Sequence, residues 1–268
     1  MTEAEWLACT DPDRILAHLL GRDIGIGNAF LAMLGLGGDP GRAGRQQPSA
    51  RKLRLFAVAC CGRIRTLMRD ERSRNAVRTS ARYADGLVGE EDLRAAQDAA
   101  GAAVVANDPL VFAEYLSVAG GAGVSTGKTW YWAARAAAAV ASSEIPEVVT
   151  AVSHVERAAI EAIMKSGSAD DWAQAIGAQV RVGLQRDIFG NPFRPARPPA
   201  PAVLAWNDGT VRRIAEGIYA ERAFDRLPIL ADALLDAGCD DAELLDHCRS
   251  EGPHVRGCWA LDLILGKN

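Results

Sequence analysis

The stretch from Ser49 to Asp70, "SARKLRLFAVACCGRIRTLMRD", decides the fold class. Leu53, Phe56, Cys60, Ile64 and Leu67 recur at intervals of three and four, which puts one apolar stripe along a helix. Arg65, Arg69 and Arg72 fall on another face and form a candidate basic contact face. Downstream, "SRNAVRTSARYADG" continues helically and stops at Gly86, a residue suited to a left-handed cap. "GEEDLRAAQDAAGAAVVA" then opens with three acids in its first turn, where the helix dipole favours them. No alternation of period two is long enough to argue for a sheet, so the expectation is an all-α, multi-helix bundle.

Working outward, Thr2 with Glu5 makes a capping box, and Thr10-Asp11-Pro12 starts a second short helix. Residues 1–35 read as an N-terminal helical arm and residues 36–50, rich in Gly, Pro and Arg, as a flexible loop. Residues 51–187 form the expected main helical domain, with a break near Pro146 and a Ser168/Asp171 capping pair. "FGNPFRPARPPAPAVLAW" carries five prolines, so residues 188–205 read as an extended strap. Residues 206–268 then give four short helices, with Gly or Pro at their joints, expected to pack as hairpins on the same core.

With 268 residues, 49% hydrophobic and 24% charged, the chain suits one large helical domain or two small ones. Aromatics are few and alanine abundant, which favours closely spaced helices. The acidic N-terminus lacks a secretory pattern and the apolar runs are short, so the expectation is a cytoplasmic protein without a membrane partner. There the six cysteines stay reduced. The net charge of −4 hides an asymmetry: residues 42–82 hold twelve Arg or Lys against Asp70 and Glu71 alone. Such a segment suits either a nucleic-acid backbone or an acidic face, and no recognised nucleic-acid motif accompanies it.

Among stretches that carry chemistry, "AGVSTGKT" (122–129) fits a relaxed phosphate-binding loop, but it lacks the buried strand such a loop needs; Ser125 or Thr126 as a helix N-cap is the simpler account. Asp240-Asp241 resembles an aspartate-rich Mg²⁺ motif, but Leu244 occupies the place of the third acid. The densest set of metal-ligand types is "CDDAELLDHCRSEGPHVRGCW", residues 239–259. A helix through "DDAELLDHC" would hold Cys239 and Cys248 about 13 Å apart at ~1.5 Å per residue, so the two could not share an ion. A zinc or iron site would use His247, Cys248, His254 and Cys258, the last two on one helical face at i,i+4. The competing reading makes the cysteines small buried apolar residues and the histidines caps at a helical joint. A catalytic cysteine is disfavoured, because Cys248 would sit at a helix C-terminus and Cys239 beside two aspartates.

Four stretches together resemble a large family of paralogous planctomycete bacterial proteins: "MTEAEWLACTDP", "RKLRLFAVACCGRI…DERSR…YADGL", "RDIFGNPFRP" and "AFDRLPILADALLDAGCDDAELLDHCR…GPHVRGCWALDLILGK". The resemblance implies a shared helical fold and a bacterial intracellular or regulatory setting, and it carries no activity or cofactor. Residues 22–49 depart from it as an insertion, and Gly62 stands where arginine is expected. The resulting expectation is a non-enzymatic interaction or scaffold module whose partner is another protein. Metal binding and nucleic-acid binding through residues 51–82 are the alternatives.

Overall fold

A computed structural model describes residues 1–21, 48–108, 127–166 and 177–267. Its helices in chain order begin with α1 (Glu3–Ala8), α2 (Pro12–Leu19), α3 (Ala50–Arg63), α4 (Glu71–Ala84), α5 (Glu90–Ala106) and α6 (Gly127–Val140). There follow α7 (Ile145–Ser166), α8 (Ala178–Phe189), α9 (Pro201–Glu221), α10 (Leu227–Asp236), α11 (Ala242–Arg249) and α12 (Trp259–Leu265). The protein is all-α, with no strand among the described residues. None of the described helices is long and apolar enough to cross a membrane.

The chain divides into two compact units, one of Met1–Lys52 with Val182–Asn268 and one of Leu53–Arg181. The boundaries differ from those expected from the sequence: the N-terminal helices and the C-terminal helices group in one unit, and the middle of the chain forms the other. Contacts distant in sequence explain the grouping. The Arg186 guanidinium of α8 donates to the carbonyls of Trp6, Leu7 and Cys9 at 3.0, 2.9 and 3.0 Å, satisfying the open C-terminal end of α1. Gln185 Nε2 donates to the Pro12 carbonyl at 2.8 Å, and Trp6, Cys9, Ile15, Leu19 and Val182 close a small apolar core.

In the unit Leu53–Arg181, α6 and α7 pair extensively, and α5 packs on α4 and α6. Ala76, Leu93, Ala96, Ala100 and Ala141 make one of its cores, and such small side chains let helix axes approach closely. The opening stretch does not run as one helix to Asp70. α3 ends at Arg63, a 3₁₀ turn covers Arg65–Leu67, and the Asp70 carboxylate accepts the Arg72 amide to start α4. Leu53, Phe56, Cys60 and Ile64 are buried as their spacing requires. Arg54, on the same helix, is buried too. Its guanidinium donates to the Val140 carbonyl at 2.9 Å, a favourable place for a cation at the end of α6. The sequence features at 109–126 and 167–176, including the start of the phosphate-loop match and the Ser168/Asp171 pair, lie outside the described residues.

In the other unit, the Thr2/Glu5 capping box forms, with Thr2 N donating to Glu5 Oε2 at 2.7 Å. The expected strap is shorter than 188–205, because Pro201 serves as the first residue of α9, where its missing N–H costs nothing. That helix breaks at "WNDG", where Asn207, Asp208 and Gly209 all take positive φ. The C-terminal core unites Val211, Ile218, Leu227, Leu230, Leu234, Leu244, Cys248, Cys258 and Leu261.

Candidate metal centre

Four segments of the unit Met1–Lys52 with Val182–Asn268 deliver one side chain each to a common point. Asp187 lies in the last turn of α8. His247 lies in the last turn of α11, whose first turn is fixed by Asp241 accepting the Leu244 amide at 3.1 Å. His254 sits in the connection after α11, and Cys258 is the N-cap residue of α12. Gly183 lets that connection approach α8: a Cβ there would come within 2.8 Å of the Pro253 ring. One helical turn past Gly183 is Asp187, so packing at Pro253 sets His254 beside the carboxylate. Gly257, at φ 93, then turns the chain into α12.

The Asp187, His247, His254 and Cys258 ligand atoms lie within 4.8 Å of one another. His254 Nδ1 is 2.8 Å from Asp187 Oδ1, and His247 Nε2 is 3.2 Å from the same oxygen and 3.2 Å from Cys258 Sγ. Asp187 Oδ2 accepts the Val255 amide at 2.9 Å, which holds the carboxylate plane. The far nitrogen of His254, Nε2, lies 3.0 Å from the Ser250 carbonyl. A carbonyl only accepts, so Nε2 carries a proton, and in a neutral ring Nδ1 is then a bare lone pair aimed at a carboxylate. Such an arrangement requires a proton or a cation between them. A ring N–H tied to a backbone carbonyl, with the other nitrogen facing the site, is the setting of a metal-ligating histidine.

Electrostatics agree with a place that expects positive charge. Burial pushes the Asp187 carboxyl up, but hydrogen bonds from His247 and His254, and then their charges, hold it below the ordinary carboxylate value. Burial lowers His254, but the Asp187 hydrogen bond, the Ser250 carbonyl and the Asp187 charge overcome it, so its value is raised. The Cys258 thiol is pushed well up by burial and by Asp187, with the amides of Leu261 and Ala260 acting the other way. Without a metal, Cys258 is a neutral thiol. It is fully buried, 0% exposed, so it is no accessible nucleophile. A cysteine relay would also need the acid on the far nitrogen of the histidine, whereas His247 Nε2 faces both Cys258 and Asp187.

Of the ligands expected from sequence, the structure brings together His247, His254 and Cys258. It does not bring Cys248, which packs in the C-terminal apolar core with its thiol pushed to about 12 by burial, Asp187 and Cys239. Asp187 stands in its place. Two parts of the sequence geometry are corrected. α11 begins only at Ala242, so Cys239 folds back into the same core as Cys248, near enough to add to the rise of the Cys248 thiol, and the helical separation does not apply. α12 begins at Trp259 rather than Pro253, so His254 and Cys258 converge through a turn and not along a helical face. Asp187 carries one sequence signal: it is an acid in the last turn of a helix, against the dipole.

The expected basic face is largely engaged within its own unit. Arg65 is exposed, the Arg69 guanidinium sits 3.5 Å over the Trp130 ring, and Arg72 pairs with Asp70 at 2.7 Å. Arg74 and Arg78 both pair with Glu71, at 2.7 and 2.6 Å. Lys128 and Thr129 of the phosphate-loop match lie in α6, the former exposed and the latter buried. No protein family, curated protein or solved structure compared with the chain matches it.

Proposed function

We propose that this protein is a non-enzymatic helical module that acts by binding another protein, and that its Met1–Lys52/Val182–Asn268 unit is held by a structural zinc ion on Asp187, His247, His254 and Cys258. The observation that carries the metal is the facing of His254 Nδ1 and Asp187 Oδ1 at 2.8 Å while His254 Nε2 is committed to the Ser250 carbonyl. Zinc bonds of about 2.0–2.3 Å in a tetrahedron separate their ligands by ~3.3–3.7 Å. Three of the six separations, 2.8, 3.2 and 3.2 Å, therefore open by a few tenths of an ångström, and the wider ones, up to 4.8 Å, close by about 1 Å to reach that tetrahedron. One carboxylate, one thiolate and two neutral imidazoles also cancel the charge of a divalent ion, which suits a buried site. Two nitrogens, a sulfur and an oxygen favour zinc over magnesium or calcium, which take oxygen ligands.

A structural role is favoured over a catalytic one because all four positions come from protein side chains. Catalytic zinc sites keep a fourth position for water. The stretches that carry the planctomycete resemblance contain all four ligands, Asp187 in "RDIFGNPFRP" and the rest in the C-terminal stretch. Metal analysis of purified protein tests the reading. One zinc per chain is expected, lost in Cys258→Ser and His254→Ala and kept in Cys248→Ser. Substoichiometric zinc and iron in the wild type, with no melting shift on adding chelator, would overturn it.

A further inference from the structure

Lys52 opens α3 and belongs to the same unit as the metal centre. Its backbone is fixed, since Ser49 Oγ accepts the Lys52 amide at 3.3 Å. An ammonium has three donors, and here each finds a different acceptor. Lys52 Nζ lies 3.0 Å from the Ile188 carbonyl, 2.7 Å from the Gly257 carbonyl and 2.6 Å from Asp262 Oδ2. The first carbonyl follows Asp187 in the chain, and the second belongs to the peptide that leads into Cys258. Ile188 lies in the last turn of α8, where carbonyls lack an intrahelical donor and a cation is favoured.

We propose that Lys52 is a positioning residue of the metal centre, fixing the backbone beside two of the four ligands, Asp187 and Cys258. The proposal rests on the metal reading above. Asp262 is buried and receives a second cation, with Arg51 bidentate on it at 2.7 and 3.0 Å and also on the Tyr219 hydroxyl at 2.8 Å. Asp262 itself lies in the first turn of α12, the helix that Cys258 caps. Lys52 thus ties the end of α8 to the start of α12 through one nitrogen. Without it, both carbonyls lose a donor, and the Ile188–Phe189 peptide one residue past Asp187 and the Gly257–Cys258 peptide are freed. The backbone is then held less firmly on either side of the ion, while every ligand remains present.

Arg51 supplies the control, because Arg51→Met also removes a cation from Asp262. Zinc affinity is measured by chelator competition on the full chain, with circular dichroism of the metal-free protein reporting the fold. The visible spectrum of the cobalt(II)-substituted protein reports coordination. Loss of an outer-shell partner weakens metal binding about 10–100-fold, and that is expected for Lys52→Met, with an altered cobalt spectrum and wild-type helicity. Arg51→Met is expected to keep the wild-type affinity and spectrum. Equal weakening in both variants, or wild-type affinity in Lys52→Met, overturns the positioning role and leaves the metal reading standing. Should Lys52→Met fail to fold, Lys52→Arg retains a cation for Asp262, but its flat fork does not reproduce the three-way geometry. The same weakening is expected of it, and wild-type affinity there overturns the proposal. A wild type that takes up no zinc overturns both readings together.

Discussion

His254 and His154 occupy the two units of this molecule and meet opposite surroundings. His254 faces Asp187 at 2.8 Å, and its value is raised. His154 stacks on Trp132 with ring centroids 5.4 Å apart, and the Arg157 guanidinium lies 4.7 Å over the same indole. Burial first, then Arg135 and Arg157, bring His154 down to about 4. Its Nδ1 is buried without a hydrogen-bond partner among the described residues. It also lines a cleft of about 660 Å³ with Asp98, Arg135 and Glu147, where acidic and basic side chains are mixed. The difference teaches what suits a histidine to a metal. An imidazole whose nearest charges are cations is kept neutral, and among the described residues no set of metal-ligand side chains converges on His154. His254 has a carboxylate, a second histidine and a thiol within reach, and a carbonyl that fixes its tautomer.

Removing the proposed zinc should give the largest break in this comparison. Structural zinc contributes on the order of 10 kcal/mol to the folding of small zinc domains. Chelation should therefore expose the amides of α11 and α12 to hydrogen exchange while those of α6 and α7 keep their protection. Exchange followed by mass spectrometry on the full chain measures both at once. Equal loss of protection in α6 and α7 would show that the centre does not act on its own unit alone. His154→Ala should do the reverse, loosening α6 and α7 without changing zinc content.

A smaller effect is expected at Gly183, where packing rather than ligation is at stake. A methyl group at that position meets the Pro253 ring at 2.8 Å, and neither α8 nor a proline ring yields easily. Overpacking of this kind costs about 1–3 kcal/mol. Gly183→Ala should lower the melting temperature and slow zinc uptake, because Pro253 carries His254 with it. A variant with unchanged melting and unchanged uptake would mean that the connection after α11 is placed by the ligands and not by α8.

The helices were legible in the sequence because their signals are local. The stripe Leu53, Phe56, Cys60, Ile64, the Thr2/Glu5 box and the acids opening α5 each act within a turn or two. Three of the four residues in the candidate cluster were legible for the same reason, lying close together between residues 247 and 258. Asp187 was not, because it reaches the site from α8 across more than fifty residues of chain, and Cys248 filled the vacancy on composition alone. Lys52 was hidden in the same way. In sequence it is one of twelve basic residues in a charged segment, and only its three acceptors, all distant in the chain, distinguish it. The grouping of α1 and α2 with the C-terminal helices rests on Arg186 and Gln185, whose partners are main-chain carbonyls that no side-chain pattern announces.

The smallest effect, and the one that separates the two histidines most directly, is the pH dependence of the metal-free chain. His254 has a folded value above its unfolded 6.5, so the stability it contributes is fully present below 6.5 and is lost as pH rises through the raised value. His154 has a folded value of about 4, so the unfolded chain takes up a proton first, and stability is lost as pH falls from 6.5 towards 4. As pH falls from above the raised His254 value towards 4, the two therefore pull in opposite directions. In the presence of chelator, His254→Gln should remove the acid-side gain and leave the loss from His154. His154→Phe, which keeps a ring against Trp132, should remove the loss and leave the gain. Each change is readable as a shift in denaturant midpoint between the two ends of that pH range. Zinc reverses the sign for His254 alone, since a bound metal needs the imidazole deprotonated and acid then releases it. If added zinc left the pH slope of the wild type unchanged, His254 would hold only its ion pair with Asp187, and the two histidines would differ in charge environment but not in role.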